Sequence, residues 1–275
     1  MDGEATSLTE NLLRRERWIV FSGLTTITVL AWIYILTGAA TGMSIRAMTI
    51  ISLFPHRMVG MSMPPEAWTV TYWIIMLLMW WVMMIAMMTP SAAPMILLYA
   101  RATRHSQSNG QLGRGAASAA TFAAGYLLVW LGFSLAATLL QWVLERFGAI
   151  SGMWMASASA GLSAAILFAA GVYQLSPWKH RCLNHCRAPA EFLTRHRRPG
   201  RLGALRIGIE HGAFCVGCCW VLMALLFVGG IMNVLWIAVL AIFVLLEKVA
   251  SQGQWFARLT GILLVAWGAA TLVRH

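Results

Sequence analysis

Charge is scarce in this chain. Only 11% of its 275 residues are Asp, Glu, Lys or Arg, and just nine are acidic. A soluble domain is about one-quarter charged, so this composition excludes an ordinary water-soluble fold. Cysteine is scarce too, with five residues confined to 182–186 and 215–219. The sequence has no GxxxxGK[ST] phosphate loop, no DKTG-like phosphorylation sequence and no HExxH helix, so nothing in it supports ATP-driven pumping or zinc proteolysis. No thioredoxin-like βαβ pattern surrounds the thiols.

Apolar residues dominate instead, at 60% of the chain with a mean hydropathy of +0.73. A membrane-spanning helix needs about 20 mainly apolar residues. Seven segments approach or meet that length: 18–40, 68–92, 116–142, 157–174, 208–230, 233–250 and 256–274. They predict an all-α polytopic membrane helix bundle of about seven transmembrane helices, forming a single domain over 1–275. The fourth and sixth segments are short. The polar segment 1–17 precedes a full-length span with no small-residue cleavage site, which reads as an anchor rather than a removable signal.

Orientation follows from the basic residues, because loops rich in Lys and Arg stay in the cytoplasm. With the N-terminus inside, sixteen of the twenty Lys and Arg residues fall on inside segments, and only Arg46, Arg57, Arg146 and Arg274 fall outside. The expected topology is therefore N-in and C-out, with 1–17 and the basic loop 175–207 in the cytoplasm. The net charge of +11 then reads as a topology signal and an attraction to anionic lipid, not as a nucleic-acid surface.

This topology gives the unusual residues a depth. Cys215 lies about 7–10 Å from the cytoplasmic end of the fifth span, at about 1.5 Å per residue. The second span brings Met84, Met87 and Met88 to the same half, just before Pro90 and Pro94 are expected to interrupt the helix. Cys182 and Cys186 sit in the inside loop that follows the fourth span, and they are i, i+4 neighbours if Pro177 opens a helix there. His211, Cys215, Cys219 and Met223 are spaced by four, with Cys218 three beyond Cys215, so one stripe presents imidazole, thiols and a thioether. Soft donors of this kind select Cu(I), and thiolate with imidazole alone also suits Zn(II). The methionines tilt the reading to copper, with zinc as the alternative. The candidate metal ligands are Cys182, Cys186, His211, Cys215, Cys218, Cys219, Met84, Met87 and Met88. If they share one site, a Cys215 or Cys219 sulfur should lie within about 8 Å of a second-span methionine sulfur, in a cavity opening to the cytoplasm with Glu247 near its rim.

Each piece also has a packing explanation. Methionine fills apolar cores, and cysteine serves like Ala or Ser where helices touch, as Gly208, Gly212 and Gly217 suggest for this span. Glu210 reads as snorkelling to the basic surface. In the outside loop, AMTIISLF reads as an interfacial helix, while His56 with Met58, Met61 and Met63 resembles a capture group for copper.

The stretches WVMMIAMMTPSAAPM (81–95), GYLLVWLGFS (125–134), YQLSPWKHRCLNHCRAP (173–189), HGAFCVGCCWVLM (211–223), GGIMN (229–233) and EK (247–248) together resemble a bacterial family of predicted metal-binding integral membrane proteins, a domain of unknown function. The likeness covers most of about 68–250 and leaves out the first span and the MVGMSMPPEAW loop. It implies a heptahelical or similar membrane fold with a metal site, in the bacterial inner membrane, and supplies no substrate or reaction.

Three functions follow as expectations. The first is soft-metal handling, with delivery to a metallochaperone or a membrane metalloenzyme. The second is a thiol-disulfide redox enzyme using Cys215/Cys218 with Cys182/Cys186, since C-x-x-C near a helix start favours thiolate chemistry. The third is a small-solute permease or a lipid-packed scaffold.

Overall fold

The computed structural model describes residues 2–38, 68–108, 119–151, 156, 157, 159–196, 198, 200–250 and 252–273. Ten helices account for nearly all of them: α1 Asp2–Leu36, α2 Val70–Ser108, α3 Ala119–Arg146, α4 Ala160–Leu175, α5 Pro177–Arg187, α6 Pro189–Arg195, α7 Gly200–Ala224, α8 Leu226–Gly229, α9 Val234–Val249 and α10 Gly253–Val273. The only extended pairing among the described residues is two residues long, Ile150–Ser151 against Ala156–Ser157. The expected all-helical class is observed. The outside loop with His56, Met58, Met61 and Met63 lies outside the described residues.

Among the described residues, five helical stretches are long and apolar enough to cross a membrane: Trp18–Leu36, Val70–Thr103, Ala119–Arg146, Gly200–Gly229 and Gly253–Val273. A sixth arises if α4 and α5, bent by 63° at their junction, form one broken span. The helix expected as the sixth of seven spans, α9, has 16 residues. That gives about 24 Å against a hydrocarbon core of about 30 Å.

Local chemistry sets several boundaries. The Ser176 hydroxyl accepts a hydrogen bond from the Lys179 amide, and Pro177 opens the first turn of α5. Pro189 similarly opens α6, so most of 175–207 is helical rather than a loop. The Asn233 side chain caps α9 by accepting from the Trp236 amide, after Gly230 turns the chain at φ +91°. Pro90 and Pro94 do not interrupt α2, which continues through both. In that turn the Met88 carbonyl accepts from the Ser91 and Tyr126 hydroxyls, which illustrates how neighbouring side chains make a proline-containing helix tolerable inside a bundle.

The helices α1, α2, α3 and α7 pack in succession, α4 lies along α10, α9 fits beside α2, and α5 folds against α7. The α3–α7 contact is the closest of these. A Cβ at Gly208 would run into the Phe122 carbonyl, and one at Gly125 into the Leu205 carbonyl, so glycine on both helices lets the backbones touch. This approach places Tyr126, next to Gly125, over the cysteine face of α7.

Candidate metal centre

The sequence puts three thiols within five positions of α7, and all three are buried: Cys215, Cys218 and Cys219. Cys215 and Cys219 are one turn apart and share a face. The Cys219 sulfur lies 3.9 Å from the Met88 sulfur of α2. Two sulfurs bound to one ion at about 2.3 Å each and about 120° apart are separated by about 4.0 Å, so this spacing already suits shared ligation. The expected approach of a fifth-span thiol to a second-span thioether is therefore present. Met84 and Met87 are buried on the same helix, but among the described residues Met88 is the thioether placed against a thiol.

Cys215 sits at the centre of a polar knot that the sequence reading did not anticipate. Its sulfur is 3.1 Å from the Tyr126 hydroxyl and 2.9 Å from the Lys248 ammonium. Tyr126 also donates to the Met88 carbonyl at 3.2 Å, which ties α2, α3 and α7 together at the level of the sulfurs. Lys248 donates as well to the Ser91 hydroxyl at 3.0 Å. Both the Cys218 and Cys219 thiols donate to the Cys215 carbonyl, at 3.1 and 2.8 Å. In the sequence, Lys248 stood out only as a cytoplasmic-side charge beside Glu247, and Tyr126 only within GYLLVWLGFS. The available signal was a lysine ending an otherwise apolar helix beside a second ionisable residue, Glu247.

The two cysteine clusters form one patch. Cys186 lies near Cys218. The Cys182 sulfur lies 3.0 Å from where a Cβ at Gly217 would stand. A side chain at 217 would require the Cys182 sulfur to give by a few tenths of an ångström, so glycine there eases the approach of the second cluster. All five cysteines are free thiols.

His211 lies one turn before Cys215, is buried, and is ringed by Phe122, Tyr126 and Phe192 at centroid distances of 6.0, 5.8 and 5.6 Å. Its Nδ1 is buried and has no hydrogen-bond partner among the described residues. On its outer side, Phe192 belongs to the wall of a cavity of about 500 Å³ formed with His185, Arg195 and His196. None of the five cysteines lines this cavity. Glu210 pairs with Arg206 and Arg198 at 3.3 and 3.4 Å, in keeping with the surface role expected for it. Glu247 is not at a rim. It is 2% exposed and bound to Lys179, because an α5 lysine folded into the bundle requires a carboxylate partner there.

The donors suit a soft monovalent ion. Thiol and thioether sulfur favour Cu(I), and a buried imidazole nitrogen without a partner is a further donor. Among the described residues, no three side chains drawn from His, Cys, Asp and Glu gather around one metal position. A closed zinc site draws four ligands from that set. The sulfur contacts here run in a chain, and one of the donors is a methionine.

The chain is a bundle of long apolar helices closing over a buried thiol–thioether cluster. The model of the PpoB2 family, described as copper chaperone, matches residues 77–271, and the chain belongs to that family. The match makes specific what the sequence resemblance left as an unspecified metal, and it speaks for copper rather than zinc. No curated protein and no solved structure matches the chain.

Proposed function

We propose that this protein is a multi-pass membrane copper chaperone that holds Cu(I) between Cys215, Cys219 and Met88. In this reading, Cys218, Cys186 and Cys182 form an exchange path toward the cytoplasm, and His211 is an accessory donor. The observation that carries it is the 3.9 Å approach of the Cys219 thiol to the Met88 thioether, beside Cys215, in a chain of the copper chaperone family. Thiol and thioether ligands exchange Cu(I) readily through low-coordinate intermediates, so a chain of sulfurs can pass an ion on without releasing it to water. Met84 and Met87 extend the soft lining along α2. The protein would lie in a bacterial inner membrane with seven spans, N-in and C-out, the short helices α4 and α9 supplying the two spans that fall below full length. It would deliver copper to a membrane metalloenzyme or receive it from a soluble metallochaperone.

The test is metal analysis of the full chain purified anaerobically in detergent. Wild type is expected to hold stoichiometric copper, and the Cys215→Ser/Cys219→Ser variant to lose it while remaining inserted and monodisperse. Copper retained by that variant would defeat the reading. Absence of metal together with a reversible Cys215–Cys218 disulfide would favour the thiol-redox alternative. The orientation is checked separately: a C-terminal tag should be reached from the periplasm, and a tag within 187–205 should not.

A further inference from the structure

Lys248 is a buried cation without a carboxylate. Its ammonium touches the Cys215 sulfur at 2.9 Å and the Ser91 hydroxyl at 3.0 Å, and among the described residues it makes no ion pair. The acid next to it in sequence, Glu247, is taken up by Lys179 at 2.7 Å and by Gln174 at 2.9 Å. Successive positions on a helix point about 100° apart, so Glu247 and Lys248 serve different neighbours. The Cys215 thiol that it touches is joined in turn to the buried, uncharged Tyr126 hydroxyl, and the buried Cys218 and Cys219 thiols donate to the Cys215 carbonyl. An unbalanced charge in such surroundings is costly, and this applies to the loaded site as a whole.

We infer that Lys248 is the counter-cation of the loaded site and sets its preference for a monovalent over a divalent metal. The inference rests on the proposed copper-holding role of Cys215, Cys219 and Met88. Two thiolates carry two negative charges, and the Met88 thioether carries none. Lys248 contributes one positive charge, so one more neutralises the site. Cu(I) brings one. Zn(II) brings two and leaves a net positive charge in an apolar interior. Affinity for sulfur does not require this discrimination, since both ions bind thiolate well. The lysine supplies it through charge alone, without occupying a ligand position.

The experiment compares Cu(I), held by a competing chelator, with Zn(II) on the anaerobic full-length protein, and reads the ratio of their apparent affinities. Wild type and Lys248→Arg should both favour Cu(I). Lys248→Met should move the ratio toward Zn(II) by about tenfold or more, because two thiolates alone balance a divalent ion. The double variant Lys248→Met/Cys215→Ala has one thiolate and no ammonium, so it should move back toward Cu(I). If Lys248→Met cannot be purified in monodisperse form, Lys248→Gln removes the same charge with a polar side chain. An unchanged ratio in the neutral variants, or a double variant that does not recover, would overturn the inference while leaving the copper site standing. Wild type that binds no copper would defeat the functional reading itself. A purely structural lysine would weaken both metals alike and leave the ratio where it was.

Discussion

Lys179 and Lys248 are both buried near the end of α9, the first paired with Glu247 of that helix and the second belonging to it, yet their partners differ in kind. Lys179 is fully enclosed and meets both oxygens of Glu247, at 2.7 and 3.0 Å, while also donating to the Gln174 side chain. Lys248 meets a sulfur and a hydroxyl. The first is a closed ion pair whose charges are matched within the protein. The second is a cation beside polarisable sulfur, in a place where an added ion changes the balance. The difference shows how one polar dipeptide can fasten the α4–α5 elbow with one residue and tune a ligand site with the other.

The sharpest way to break the comparison is to strip each lysine of its partner. Glu247→Ala strands the Lys179 ammonium in the bundle, and we expect a loss of about 3–5 kcal/mol, seen as a large fall in thermal stability in detergent. Replacing the pair together, Lys179→Met/Glu247→Leu, should recover most of that loss, because a buried ion pair contributes little over an apolar one of similar volume. Failure of the double variant to recover would show that the pair does more than hold the elbow. Cys215→Ser leaves Lys248 a hydroxyl in place of the thiol, so its stability cost should be only about 1 kcal/mol although copper affinity falls.

Between these lies Tyr126. Tyr126→Phe removes the hydroxyl shared by Cys215 and the Met88 carbonyl, and should cost about 1 kcal/mol of stability with a weaker hold on copper, measured by chelator competition. Equal copper affinity in the two proteins would mean that Tyr126 only packs. The smallest effect is expected on the surface, where Arg195 and Glu191 pair at 2.7 Å while both remain more than half exposed. Arg195→Ala should change stability by only about 0–1 kcal/mol, and should leave metal binding untouched.

Much of this was legible from residue order. The His211, Cys215, Cys219, Met223 spacing put the soft donors on one face, and Pro177 marked the helix that sets Cys182 and Cys186 one turn apart. The depth argument also brought Met88 to the level of the thiols. Other features misled or stayed hidden. Pro90 and Pro94 read as a break, yet α2 runs through them, because tertiary neighbours can satisfy a turn that an isolated helix would lose. Lys179 and Lys248 counted as surface charge for orientation, yet both are buried, because only packing reveals whether a carboxylate or a sulfur waits for a lysine at a helix end.

The sequence alone determined which residues are soft donors, which helices carry them and on which face they lie, because helical periodicity is a local property of the backbone. Only the tertiary structure decided which faces meet. The glycines at 125 and 208 bring α3 onto α7, Gly217 eases the approach of Cys182, and the turn at Gly230 returns α9 so that Lys248 reaches Cys215 across 33 residues. Such contacts depend on where backbones can approach, and that is set by all the packed helices at once rather than by any one segment.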